Sequence, residues 1–377
     1  MIATLNGICS YRNETVDLNE ATLEEYVSTE SMLPNRGGVG VASSLPGTGK
    51  VKFFKAGDTL ISNIRPYFKK IWRSDRNGYC SNDVLVFKAD SCLPDFLYWT
   101  LSSDDFFAHM TKTSKGTKMP RGDKNAIMQY EINLPSLSAQ EAVCSILNPL
   151  QKKMVSNAML NDYLAELLDA LFAKVLEGAD NWEEATLLDI ASYKNGLAMQ
   201  KFRPEGDDPG LPVLKIKELG QGSCGPDAER CRSNIDESVR IYDGDLVFSW
   251  SETLLLDFWA GGDAGLNQHL FKVTSEKYPS WFVYMWTKYH MRRFIALAKD
   301  RATTMGHIKR SALAEAKVLI PSADGLNKLT EQMQPVVDQI IGLKVEARKL
   351  GELRDTLLPK LMSGEIDVSK VDLAQSN

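Results

Sequence analysis

No apolar run in the sequence approaches the roughly 20 residues that a bilayer-spanning helix requires. The opening MIATLNGICSYRNE has neither a basic start nor a long apolar core, so no secretion signal is expected and the expected location is the cytoplasm. Cysteine is sparse: Cys9, Cys80, Cys92, Cys144, Cys224 and Cys231 form no CxxC pair. The four histidines, His109, His269, His290 and His307, are scattered. Neither a zinc site nor any other metal site is expected, and the thiols are expected to be reduced. Cofactor loops are missing too. Pro46-Gly47-Thr48-Gly49-Lys50 has Ser44 where a phosphate loop needs its first glycine, and Val51 where it needs Ser or Thr. There is no glycine-rich dinucleotide fingerprint, no Asn-Pro-Pro-Tyr type methyltransferase motif and no Ser/His/Asp set at a familiar spacing. Pro94-Asp95 is followed by no Asp/Glu-x-Lys that would complete a metal-nuclease cluster. Arg121-Gly122-Asp123 reads as a turn. The sequence therefore offers no catalytic residue and no cofactor.

What is present is an ordinary globular composition, 44% hydrophobic and 25% charged, over 377 residues, enough for about two domains each with a core. The net charge of −5 speaks against indiscriminate coating of nucleic acid and leaves room for a local basic face.

The chain repeats itself. Thr4-Leu5, Ile8, Ser10-Tyr11 and Asn13 return as Thr186-Leu187, Ile190, Ser192-Tyr193 and Asn195. Gly57-Asp58 and Ser62 return as Gly244-Asp245 and Ser249, Trp99-Thr100 as Trp286-Thr287, and Thr117-x-Met119 as Thr303-x-Met305. Leu134-Pro135-Ser136 returns as Ile320-Pro321-Ser322, and Glu166-Leu167-x-Asp169-x-Leu171 as Glu352-Leu353-x-Asp355-x-Leu357. The offset stays between 182 and 187, which marks a tandem duplication. In each half a β-rich region comes first. Its short β-branched runs (Val51–Phe54, Thr59–Ile61, Val84–Phe87, Val213–Ile216, Leu246–Phe248) are separated by Gly/Pro clusters. One helix is expected in each region, near Asp95 to His109 and Ser280 to Ala298.

A long helix closes each half. Its apolar seam in the second runs Leu329, Met333, Val336, Ile340, Leu343, Ala347, Leu350, Leu357 and Leu361, interrupted by Arg354. The first carries Val143, Leu147, Leu150, Met154, Asn157, Asn161, Leu164, Leu168, Leu171 and Val175 at the matching places. Asn157 and Asn161 either fix register on the seam or lie beside it and meet water. Ser138 and Asp324 are the expected N-caps, and Gly178 and Gly364 the stops. Pro149 and Pro335 are expected to break each helix into a short and a long segment.

Basic residues cluster in both halves. Arg65, Lys69, Lys70, Arg73 and Arg76 share a segment with Tyr67, Phe68 and Trp72; Lys112, Lys115, Lys118, Arg121 and Lys124 follow, with Ser114 and Thr117 among them. The second half answers with Lys288, Arg292, Arg293, Lys299, Arg301, Lys309 and Arg310 around Thr303, Thr304 and His307. Such runs are solvated faces or phosphate contacts, and their recurrence at one place in both halves favours the second.

These residues resemble the specificity (S) subunit of type I restriction–modification systems over nearly the whole chain. The most specific pieces are Leu353-Arg354-Asp355-Thr356-Leu357-Leu358-Pro359-Lys360-Leu361-Met362-Ser363-Gly364-Glu365-Ile366, the weaker Glu166 to Gly178, Tyr26-Val27-Ser28-Thr29-Glu30, Gly57-Asp58-Thr59-Leu60 with Ser62, Leu134-Pro135 with Gln140-Glu141, and Thr303-Thr304-Met305-x-His307-Ile308. Gly116 to Arg121 lacks the isoleucine that the second half has at Ile308. The resemblance implies an α+β protein: two duplicated target-recognition domains (1–136 and 180–323), separated by long helices (137–179 and 324–366) packed as an antiparallel intramolecular coiled coil, and a flexible tail (367–377). It implies a non-catalytic subunit whose domains each read half of a bipartite site in double-stranded DNA. The helices would set the spacing and dock adenine methyltransferase subunits, with a restriction or translocase subunit as a further partner. The competing reading is a coiled-coil scaffold whose heads bind protein; an enzyme in its own right is disfavoured by the missing cofactor loops and carboxylate cluster. A four-residue deletion between Glu346 and Arg354 is expected to alter the preferred spacing and leave the half-sites unchanged.

Overall fold

The structure is a computed structural model that describes residues 2–17, 21–179, 182–299, 310–369 and 371. The chain divides into two compact units: one takes in the residues up to Lys152 together with those from Glu352 onward, and the other is Lys153–Gly351. Each unit thus holds one β-rich head and a stretch of both long helices.

The first unit pairs Ile2–Thr4 with Glu131–Asn133. Its first four-stranded sheet is fully antiparallel in the order Cys9–Tyr11, Val84–Ala89, Thr59–Ser62, Ile71–Arg73. The second unit repeats this with Glu183–Thr186 against Lys317–Ile320, and Ser192–Asn195, Leu270–Thr274, Leu246–Ser249, Leu256–Phe258. The Gly-Asp pairs before the third strands explain part of this identity. Gly57 and Gly244 sit at φ +90° and +94°, where a Cβ would be strained. The Asp58 and Asp245 carboxylates accept from the backbone N–H three residues earlier, at 2.8 Å in both cases.

A second sheet in each unit shares three strands. Lys50–Phe54, Gly78–Cys80 and Tyr26–Val27 correspond in pairing to Arg240–Ile241, Ala264–Leu266 and Leu211–Leu214, antiparallel then parallel. The fourth strand lies on opposite edges. Thr15–Asp17 joins Lys50–Phe54 in the first unit, whereas Arg230–Cys231 joins Leu211–Leu214 in the second.

Two helices, Pro94–Ser102 and Asp104–Lys112, stand where one was expected in the first half. Ser103 is extended, and its hydroxyl accepts the Phe106 N–H to cap the second helix. His290 occupies the corresponding place in the second half, and there Ser280–Lys299 runs on as one helix. Ile216, expected in a strand, instead opens the helix Ile216–Gln221.

The long helices are Leu137–Glu177 and Ala323–Ser363. Neither ends at its proline, contrary to the expected break. Pro149 removes one backbone hydrogen bond, while Val143, Cys144 and Leu147 beside it are buried in the first head's core, and that packing carries the helix through. The caps also differ from expectation: the hydroxyls of Ser136 and Ser322, not Ser138 and Asp324, accept the N–H groups of Ala139 and Gly325.

Within each unit the two helices pack antiparallel. Gln151 meets Arg354 in the first, and in the second Lys153 and Asn157 meet Glu346 and Leu343. Among the expected seam residues, Leu147, Leu168, Ile340, Leu343 and Leu361 are buried, and Leu150, Met154, Leu164, Leu171, Val336, Leu350 and Leu357 are partly buried. Val337 and Leu358, each one position beyond an expected seam residue, are more deeply buried than Val336 and Leu357. The seam is continuous with the head cores. Leu168, Phe172, Met333, Val337 and Ile340 share one core with Phe248, Trp281 and Phe294, while Leu147, Leu358 and Leu361 share another with Phe87, Phe96 and Phe106. Ile366 and Val368 pack against that second core. No described helix is long and apolar enough to cross a membrane.

Candidate nucleic-acid interface

The first head brings together three loops that are remote in sequence. The hairpin between Thr59–Ser62 and Ile71–Arg73 closes with Ser62 N–H donating to Lys70 O. Its outer residues bond to a second hairpin, in which Lys115 and Arg121 exchange backbone hydrogen bonds: Arg65 N–H donates to Pro120 O at 2.8 Å, and Gly122 N–H to Asn63 O. On its other side Asn35 and Arg36 donate to Phe68 O and Lys69 O, both at 2.9 Å. Gly122 is required by this closeness, since a Cβ there would come within 2.9 Å of Asn63 Oδ1, Ile127 Cδ1 and Met110 Cε.

Four residues of this cluster, Asn35, Arg36, Arg65 and Lys69, have φ between +51° and +61°. Each non-glycine residue held there costs about 1–3 kcal/mol, a strain that gathers at functional surfaces. Arg36 is held by its side chain, whose Nε donates to Ser102 O at 2.6 Å and whose Nη2 pairs with Asp104. Arg65 makes no ion pair among the described residues, and its Nε is buried without a hydrogen-bond partner. At the outer rim Tyr67, Phe68 and Met119 are exposed, the first two with ring centroids 4.8 Å apart.

Several of the basic residues named from the sequence are tied to carboxylates of the same head. Lys69 Nζ meets Asp104 at 2.8 Å, Arg73 meets Asp95 at 2.5 Å, Lys115 meets Asp123 at 2.5 Å, and Arg121 holds both oxygens of Asp83. Lys115, with the backbone N–H groups of Ala126 and Asn125, holds Asp123 below the usual carboxylate range. Lys70 donates to Thr29 O, and partial burial lowers its pKa. Ser114 Oγ donates to Thr111 O. Lys112, Thr117 and Lys118 are exposed.

In the second head the matching hairpin, between Leu246–Ser249 and Leu256–Phe258, is two residues shorter and closes with Ser249 N–H donating to Leu255 O. Its Glu252 has φ +55° and is exposed. Ser251 Oγ lies 3.2 Å from His269 Nδ1, Gln268 Nε2 lies 3.3 Å from His269 Nε2, and the Trp250 and His269 rings are 6.0 Å apart. Arg293 pairs with Glu315, and Lys288 with Asp169. Arg292 and Arg310 are exposed and form no ion pair among the described residues. Arg301, Thr303, Thr304, His307 and Lys309 lie outside the described residues. No group of three or more His, Cys, Asp or Glu side chains that could hold a metal occurs among the described residues.

Residues 4–164 match the family described as type I restriction modification DNA specificity domain. The chain is 21% identical over 322 residues to the type I restriction enzyme MjaIX specificity subunit of Methanocaldococcus jannaschii, covering 76% of this chain and 72% of that one. It is 20% identical over 454 residues to the type I restriction enzyme HindI specificity subunit of Haemophilus influenzae, covering 96% and 98%. By these matches the chain is similar to type I specificity subunits. The fold agrees: a solved type I restriction–modification S subunit from M. genitalium superposes with a TM-score of 0.60 at 17% identity, covering 96% of each chain.

The arrangement that sequence reasoning missed is the pair of strained hairpins. Arg65 stands out in the sequence for its charge, whereas nothing marks Glu252, Ser251, Gln268 or His269 as site residues. The signal was present in the repeat: Gly57-Asp58 and Ser62 against Gly244-Asp245 and Ser249 set the two hairpins side by side.

Proposed function

We propose that the chain is a non-catalytic subunit that supplies DNA sequence specificity to a type I restriction–modification complex, each head reading one half of a bipartite duplex site. The observation that carries this reading is one skeleton used twice with different outer loops. The antiparallel sheets share strand order, while the hairpin beyond the third strand presents Arg65, Tyr67 and Phe68 in one head and Glu252 and Thr253 in the other. Two heads built alike but presenting different chemistry suit two unlike half-sites. Lys112, Lys118, Arg292 and Arg310, exposed and without ion pairs among the described residues, suit phosphate contact.

The long helices provide the spacer and the docking face for adenine methyltransferase subunits. Val155, Met159, Tyr163 and Leu167 step by four along the first helix and are exposed, an apolar row that nothing in this chain covers among the described residues. The test is to produce the full chain with the modification subunits of its own system and to map methylated adenines across the host genome. One asymmetric sequence in two parts with a fixed gap is expected. A contiguous motif, a palindrome, or methylation without a motif would overturn the reading.

A further inference from the structure

The two hairpins are the same device carrying opposite charge. Ser62 Oγ donates to Ile64 O at 3.2 Å, and Ser249 Oγ donates to Ser251 O at 3.2 Å. Asn63 N–H donates to Asp83 O, and Trp250 N–H, at the matching position, to His269 O. One residue beyond the accepting carbonyl the backbone turns left-handed: Arg65 at φ +51°, Glu252 at φ +55°. Apart from Asn35, Arg36, Arg65 and Lys69 in the first cluster, Glu252 is the one other described non-glycine residue with positive φ. Glycine would adopt this conformation without strain, yet both heads place a long charged side chain there. The strained backbone therefore accompanies a side chain whose chemistry differs between heads.

That difference points to what each side chain meets. A guanidinium only donates, and an ionised carboxylate only accepts. An arginine at the tip can serve a phosphate or a guanine edge. An exposed carboxylate is repelled by phosphates, and among the groups a duplex offers, a base amine is the donor that suits it. In the major groove cytosine N4 donates to Glu or Asp, and guanine O6 and N7 accept from Arg. Equivalent placement then assigns both side chains to base edges.

We infer that Arg65 and Glu252 are equivalent specificity determinants, Arg65 reading a guanine in one half-site and Glu252 accepting from a cytosine amine in the other. The inference rests on the DNA-reading role proposed above. Around Glu252, the exposed Gln268 and the half-buried His269, which Ser251 Oγ holds from beneath, supply further groups that can donate or accept beside the same base pair.

The experiment uses the full chain with its own modification subunits, mapping methylated adenines for wild type, Arg65→Gly, Glu252→Gly and Glu252→Gln. Glycine relieves the left-handed strain, so both glycine variants should match or exceed the wild-type Tm. Arg65→Gly should loosen one G·C position in one half of the motif, and Glu252→Gly one G·C position in the other half. Discrimination at that position should fall by about 5- to 150-fold while the opposite half stays fixed. Glu252→Gln, an amide that pairs with adenine N6 and N7, should move its position towards A·T. The inference is overturned by an unchanged motif, by both variants altering the same half, by a uniform loss of methylation with Tm retained, or by a lowered Tm in the glycine variants. A wild-type complex that yields no two-part motif overturns the functional reading itself. A two-part wild-type motif that survives all three substitutions overturns this inference alone.

Discussion

Asn157 offers a measurable account of what a polar residue does on the helix seam. It is 1% exposed, and its Nδ2 donates to Glu346 Oε2 at 2.7 Å and to Leu343 O at 3.4 Å. Glu346 itself stays half exposed and also meets Lys153 at 3.4 Å, so deleting Asn157 strands no buried charge. Asn157→Ala removes a buried side-chain hydrogen bond, a net loss of about 0.5–1.5 kcal/mol, and leaves a small void beside Leu343. Asn157→Leu loses the same bond but buries an apolar side chain in its place, a gain of about 1.5–3 kcal/mol relative to an exposed one. The alanine variant is therefore expected to be less stable by about 1–2 kcal/mol, and the leucine variant to match or exceed wild type. For a unit the size of Lys153–Gly351, each kcal/mol moves Tm by about 2–4 °C, so scanning calorimetry resolves the two. The leucine variant should lose register instead of stability, visible as dimers or larger species in light scattering. If alanine and leucine variants lost equal stability, the bond and not the seam position would matter, and the reasoning would fail.

Two further expectations follow from the same geometry. Matched insertions of three heptads, one after Lys153 and one after Gly351 where Met154 and Gly351 meet, add about 31 Å of helix, close to one turn of duplex DNA. The gap in the methylated sequence should lengthen by about nine or ten base pairs with both half-sites kept, and active methylation with an unchanged gap would contradict the spacer role. His290 donates through Nε2 to Lys317 O at 2.7 Å, and burial lowers its pKa below the ordinary value near 6.5. The folded state therefore binds this proton less readily than the unfolded chain, so the contribution is whole above pH about 6.5 and lost as pH falls through the lowered value. Between pH 7 and 5.5 the wild-type Tm should fall more steeply than that of His290→Gln, and parallel profiles would refute it.

The duplication and the helix-spacer plan were legible because they rest on residues whose type is set by backbone geometry. Gly57 and Gly244 are fixed by positive φ, and Ser136 and Ser322 by capping. The caps were misplaced although Leu-Pro-Ser and Ile-Pro-Ser stood in the repeat, because Ser138 and Asp324 lay nearer the apolar run. The seam phase slipped from Val337 to Val336 and from Leu358 to Leu357 for a different reason. A heptad assumes a narrow stripe against one partner, whereas these helices bury a wider face against each other and against a head core. The charges misled most. Lys69, Arg73 and Arg121 read as free for phosphate, but Asp104, Asp95 and Asp83 come to them from 22 to 38 residues away, a pairing no local pattern displays.

What changed between the halves follows from the same division. Positions that hold the turn, the cap and the sheet order kept their residues, because substitution there alters the backbone. The edge strand of the second sheet moved from beside Lys50–Phe54 to beside Leu211–Leu214, and the third-strand hairpin shortened by two residues and exchanged Arg65 for Glu252. These changes lie at sheet edges and hairpin tips, where the core does not constrain the side chain. On the proposed DNA-reading role, a second target requires changes at the rim alone, while the helices and the shared sheet continue to fold both heads on one plan.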